Sequence, residues 1–195
     1  MSVTARQIRA RYSADTITVY QAYSPQIGAP AVAAGWFVAP FKRDRMTWIK
    51  PSFLWMMYRC GWATKPGQEH VLAVEITRAG FEWALARACL SHYDRQLYEN
   101  KADWSRQLKT SPARVQWDPE RSLQLQALPY RSLQLGLSGE AVDRYVDEWT
   151  VENHRHHPHR PRHPRTAEDR RPPGSGSPRA GRTRLPAGRP APATD

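Results

Sequence analysis

Four basic side chains, Lys42, Arg43, Arg45 and Lys50, fall within nine residues and run directly into Pro51-Ser52. A proline that opens a helix leaves the first backbone N–H groups unpaired. Those donors, a serine hydroxyl and the positive end of the helix dipole together suit an anion. The expected ligand is therefore phosphate-bearing, held by Lys50 and Ser52 with Arg45 nearby; the competing reading is a solvated basic loop flanking a strand. Arg59 follows Pro51 by eight residues, about two helical turns, and is expected to miss the same anion.

Other residues could extend such a site. Arg6 and Arg9, three apart, could share a helix face and either meet the anion or pair with Asp15, as surface arginines commonly do. Tyr20 and Tyr23 flank Gln21 in a strand-like run, where one side could stack a base or nicotinamide ring and plain core packing is the alternative. Trp48, Trp55, Trp62 and Trp117 carry the same two readings. Asp118 and Glu120 could do acid–base work beside a positive pocket, or simply form a turn. His70 has no evident partner, and His92, placed after a helix, would cap its carbonyls. Two histidines in the body do not make a triad or zinc site, and Cys60 and Cys89 stand alone as core thiols, so no metal site is expected. The sequence contains no GxGxxG, Walker loop, GxSxG or HExxH, which removes those fingerprints.

The elements that must position these residues follow from periodicity. Thr16 to Tyr23 is a β-branched and aromatic strand closed by Ser24-Pro25. Gln26 to Ala34 is a short helix stopped by Gly35, with Pro30 near its first turn. Met46 to Ile49 is a strand, and the helix opened by Pro51 and closed by Gly61 is apolar on every side, so it is expected to be buried all round. Val71 to Thr77 alternates Leu72, Val74 and Ile76 against Ala73 and Glu75. From Phe81 a helical period begins with Glu82 in the first turn, and a weaker helix covers 102–109 up to Ser111-Pro112. A hairpin is expected to turn at Asp118-Pro119-Glu120-Arg121, followed by a strand over Arg131 to Leu137. Ser138 would then cap a helix with Val142, Tyr145, Val146 and Trp149 on one stripe. The fold class is α+β, with a mainly antiparallel sheet and about four helices.

Composition divides the chain at Glu152. All 8 Trp, 8 Tyr and 4 Phe precede Asn153, while 153–195 holds 10 basic and 3 acidic residues, +7 of the net +11. The body of 1–152 is one domain, long enough to bury about two thirds of its unfolded surface. The Pro/Arg/His-rich tail of 153–195 lacks the apolar surface to offset ordering entropy and is expected to be disordered. Its abrupt onset suggests a shifted reading frame. AAC CAC CGA CAT CAC CCC CAC CGT, one coding of Asn153 to Arg160, reads one base later as Thr-Thr-Asp-Ile-Thr-Pro-Thr-Val, a β-rich continuation. The polar N-terminus and the lack of a run of ~20 apolar residues point to a cytoplasmic protein without membrane contact.

RQIRARYSADTITVYQAYSP, DRMTWIKPSFLWMMYRCGWATKPGQE, VQWDPER, RSLQLGLSGEAV and YVDEW together resemble the family known as domain of unknown function 4291. The likeness spans nearly all of 5–152 and implies no established activity. A fainter likeness joins TVYQAYSPQIGAPAVAAGWF to the opening of ADP-ribosyltransferase domains, where a strand ending in Tyr-His-Gly-Thr leads to a helix closed by glycine and an aromatic residue. Gln21 and Ala22 stand where His and Gly would be, and Glu120 matches the family glutamate loosely. This likeness implies NAD as cofactor, with Gln21 and Glu120 addressing the chemistry; the residues themselves, read as above, give Arg6, Arg9, Tyr20, Arg45, Trp48, Lys50 and Ser52 as the expected ligand contacts. The competing expectation is a non-catalytic module that grips RNA or a protein through its basic and aromatic surface.

Overall fold

The computed structural model describes residues 5–151; the expected boundary at Glu152 and the 153–195 tail lie outside them. The β-branched run Thr16–Tyr23 forms strand β1, and Pro25–Ala34 forms helix α1, with proline in its first turn and Gly35 ending it in the left-handed conformation. Pro30 sits inside α1, past the first turn. Then follow β2 (Thr47–Ile49), α2 (Phe53–Arg59), β3 (His70–Thr77), α3 (Arg78–Ala86), β4 (Ala88–Leu90), α4 (Lys101–Thr110), β5 (Ala113–Arg121), β6 (Ala127–Leu137), α5 (Glu140–Arg144) and a π-helical turn, Tyr145–Trp149. The fold is α+β and mostly antiparallel.

The strands form two sheets. β1 pairs antiparallel with β3, and β2-β6-β5-β4 form the second sheet, in which only the β4–β5 pair is parallel. A single bridge joins them: Tyr20 N–H donates to Lys50 O at 2.7 Å, and Lys50 N–H to Tyr20 O at 3.2 Å. Period-two alternation puts Ile49, Leu133, Leu135, Leu137 and Ala113 in the core with Ile17 and Val19. Phe81 and Ala84 of α3 and Val142, Tyr145, Val146 and Trp149, the expected apolar stripe, close over them. Gly80 is required there, because a Cβ would come within 2.3 Å of the Trp149 ring.

Several local expectations are corrected. β5 runs straight through Asp118-Pro119-Glu120-Arg121, and the chain turns later, over 122–126, where Leu125 takes a positive φ. Long-range pairing with β6 overrides the local turn preference of Asp-Pro. Helix α2 is two-sided rather than buried all round: Trp55, Met56 and Met57 are buried, but Phe53 and Tyr58 are exposed. Helix α3 starts at Arg78, capped by Thr77, so Glu82 lies past its first turn and pairs with Arg78. His92 follows strand β4 rather than a helix. Gly139, not Ser138, precedes α5, and the Ser138 hydroxyl donates to Pro112 O instead. Arg6 and Arg9 lie outside any helix; Arg6 bridges to Arg131, and Arg9 stacks on Tyr130 at 4.1 Å.

Candidate functional site

A cleft of about 740 Å³ opens where the two sheets part. In an antiparallel strand alternate residues aim their backbone groups at the same neighbour. Lys50 bonds toward β1, so the Trp48 carbonyl points there too, but no backbone partner meets it beyond the single bridge. Two side chains supply the donors instead: Gln21 Nε2 at 3.3 Å and Lys50 Nζ at 3.1 Å. Gln21 is 3% exposed. Its Oε1 accepts from the Tyr145 hydroxyl at 2.6 Å and its Nε2 also donates to the Tyr23 hydroxyl at 2.8 Å. Burial raises the pKa of both phenols, with Tyr23 adding to the effect on Tyr145, so both remain protonated. Tyr145 begins the π-helical turn, a feature often found at functional sites.

The cleft is cationic. Lys42, Arg45, Lys50 and Arg59 line it. Arg43, from the same basic run, instead forms ion pairs with Asp147 at 2.6 Å and Asp143 at 3.3 Å. Among the described residues no carboxylate lies within ion-pair distance of Lys42, Arg45, Lys50 or Arg59. Lys50 is 7% exposed and its ammonium lies 5.8 Å from the Trp55 ring. Burial, followed by repulsion from Arg59, lowers its pKa to about 8, against a smaller opposing pull from Asp118. Arg59 thus shares the site, contrary to the spacing estimate: the short helix α2 lies along the cleft, and both Met56 and Arg59 reach it.

The second sheet supplies a polar wall. Gln116 of β5 and Gln134 of β6 are direct cross-strand partners, and each Nε2 donates to the Asp118 carboxylate, at 3.0 and 2.7 Å. Both glutamines line the cleft. Trp48 lies across Gly136 at the β2–β6 pair, where a Cβ would come within 3.0 Å of its ring.

Of the expected ligand residues, the cleft gathers Gln21, Arg45, Trp48 and Lys50. Ser52 and Glu120 meet each other instead. Ser52 caps α2 by accepting from Trp55 N–H, and its hydroxyl donates to Glu120 Oε1 at 2.9 Å, which also accepts from Arg121 N–H. The Ser52 hydroxyl expected to receive a phosphate thus already faces an internal carboxylate. Glu120 sits at the β5 bulge, 6% exposed and away from the cleft lining. Tyr20 packs edge-on against Phe53 at 5.3 Å, while Arg6 and Arg9 lie by the start of β6. Tyr23, weighed as a stacking residue, also lines the cleft, whereas sequence reasoning missed Arg59, Gln116 and Gln134 as lining residues. The alternation of Arg114 and Gln116 against Ala113, Val115 and Trp117 was a usable signal for Gln116, and that of Ser132, Gln134 and Gly136 against Leu133, Leu135 and Leu137 for Gln134.

Cys60 and Cys89 are buried free thiols, as expected. Among the described residues no cluster of three or more His, Cys, Asp or Glu could hold a metal ion, and no helix is long and apolar enough to cross a membrane. No curated protein and no solved structure matches the chain. A family model does match, over residues 7–160, most of the chain and all of the strands and helices that frame the cleft. The chain belongs to the family described as Domain of unknown function (DUF4291).

Proposed function

We propose that the cleft binds a nucleotide through its phosphates, with NAD as the first candidate, in a cytoplasmic enzyme resembling ADP-ribosyltransferases. The observation that carries this reading is a concave site lined by four cations with no carboxylate ion-paired to any of them among the described residues. Unpaired cations around a concavity focus positive potential on an anion of matching size. Arg45, Arg59, Lys42 and Lys50 hold the phosphates, and Trp48 offers a ring for stacking. Gln21, bonded on both ends of its amide, shapes the floor. The transfer step calls for a carboxylate to stabilise positive charge on the ribose as nicotinamide leaves. Asp118, which both cleft glutamines hold, is the nearer candidate on β5; Glu120 would first have to give up its bond from Ser52.

The test is thermal unfolding of the full chain with millimolar NAD. At a hundredfold excess over Kd, binding adds about 2.7 kcal/mol, roughly 5–10 °C for a domain of this size. The double variant Arg45→Ala, Arg59→Ala should abolish the shift. An unchanged shift in that variant would put the nucleotide elsewhere than this cleft, and no shift in the natural chain would sink the proposal. The RNA-binding alternative draws on Phe53, Trp62 and Tyr58, which are 44%, 42% and 37% exposed. Salt-dependent binding of single-stranded RNA with no nucleotide shift would favour it.

A further inference from the structure

Lys50 differs from every other lysine in the chain. There are five, and Lys42, Lys65, Lys101 and Lys109 are exposed, whereas Lys50 is 7% exposed yet lines the cleft. Its backbone is clamped by both bonds of the bridge that joins the sheets. Its Nζ donates to the Trp48 carbonyl and lies 5.8 Å from the centre of the Trp55 ring; among the described residues no carboxylate lies within ion-pair distance of it. A buried amine held by one neutral acceptor costs stability, and a titratable group so placed in a cleft marks a candidate functional site. Lysines of this kind serve as nucleophiles toward carbonyl carbon.

We propose that Lys50 is a carbonyl-reactive amine that forms an imine with a phosphorylated aldehyde or ketone seated in the cleft. The neutral Nζ donates its lone pair to the carbonyl carbon, forming a C–N bond and a carbinolamine. Loss of water then gives the C=N bond, the carbonyl oxygen departing with the two protons that the amine gave up. No oxidant or further reactant is needed. Arg45, Arg59 and Lys42 on the same cleft are placed to hold the phosphate of such a compound. Sugar phosphates belong to this class, as does the open-chain form of a nucleotide carrying a free ribose. The proposal rests on the nucleotide reading only for that anion seat. Burial, with Arg59 next in effect, lowers the Lys50 pKa to about 8, so roughly a tenth is neutral at pH 7, against well under a thousandth for an ordinary lysine.

The test treats the full chain at pH 7 with a limiting amount of pyridoxal 5′-phosphate, traps any imine with borohydride and maps the modified lysines by mass spectrometry. Lys50 should be modified about tenfold or more faster than each of the four exposed lysines, and excess pyrophosphate should protect it. Modification of Lys42, Lys65, Lys101 and Lys109 with Lys50 untouched would overturn the proposal; a persisting thermal shift with NAD would leave the nucleotide reading standing. Equal modification of Lys50 by unphosphorylated pyridoxal, without protection by pyrophosphate, would support the imine and count against the anion seat. The readout comes from the natural chain, so it does not depend on a variant folding. Lys50→Met serves as a control in which the cleft label disappears.

Discussion

Replacing Lys50 with methionine should stabilise the protein. Methionine retains most of the apolar stem and removes a charge that the fold disfavours. The shift from 10.5 to about 8 corresponds to about 3 kcal/mol of unfavourable free energy when the lysine is protonated. Loss of the bond to the Trp48 carbonyl, which keeps Gln21 as a donor, returns about 1 kcal/mol. The net gain at pH 7 is about 2 kcal/mol, or roughly 4–8 °C in Tm. The pH dependence has a definite sign. Because the folded pKa lies below the unfolded one, the unfolded chain binds more protons between about pH 8 and 10.5, so the natural protein gains stability as pH rises through that window. Below about pH 8 the penalty is complete and constant. Burial sets it first and Arg59 adds to it, against smaller opposing pulls from Asp118 and Cys60; these neighbours are common to both proteins. Urea unfolding of the two proteins at pH 7 and pH 10 should therefore show a Lys50→Met advantage that largely disappears at the higher pH. A variant less stable at pH 7, or an advantage equal at both values, would refute the buried-charge account.

Gln21→Ala should cost about 2–4 kcal/mol in urea unfolding, because it strips buried partners from the Tyr145 and Tyr23 hydroxyls; Tyr145→Phe should cost about half of that, and equal losses would contradict the network. Gly80→Ala should lower stability by about 2 kcal/mol or more, since its Cβ would lie within 2.3 Å of Trp149, and a neutral result would show that α3 can move freely. Arg43→Ala, which breaks exposed ion pairs to Asp147 and Asp143, should change stability by less than about 1 kcal/mol. Thr150 pairs with Ile76, and Val151 N–H donates to Glu75 O, laying the chain beside β3 as the described residues end. Replacing 153–160 with Thr-Thr-Asp-Ile-Thr-Pro-Thr-Val should raise Tm if a frameshift produced the tail. No gain, together with a gene lacking that alternative frame, would dismiss it.

Local patterns were enough for elements whose burial follows their own period. β1, α1 with its Gly35 stop, β3 and the Val142–Trp149 stripe stand close to where alternation and helical spacing put them. The Asp118-Pro119 segment was misread because turn preference is a local quantity worth little beside a ladder of pairs to β6 running from Ala113 to Arg121. Arg59 was misread because two turns of separation along α2 matter only if the ligand sits at the helix end, and the cleft instead runs along the helix.

The sequence by itself determined most of the segments that become strands and helices, because side-chain shape and the spacing of apolar residues act over a few positions; over 118–121, pairing with β6 decided instead. It also set an excess of cations around residues 42–50. Only the tertiary structure decided which of those cations face one another. Pairing of Tyr20 with Lys50 stitches two sheets at one point and lets them part beyond it, leaving a carbonyl for Gln21 and Lys50 and opening the cleft. Arg43 was drawn to Asp147, and Ser52 to Glu120. Those choices depend on contacts between residues far apart in the chain, for which spacing along the sequence carries no information.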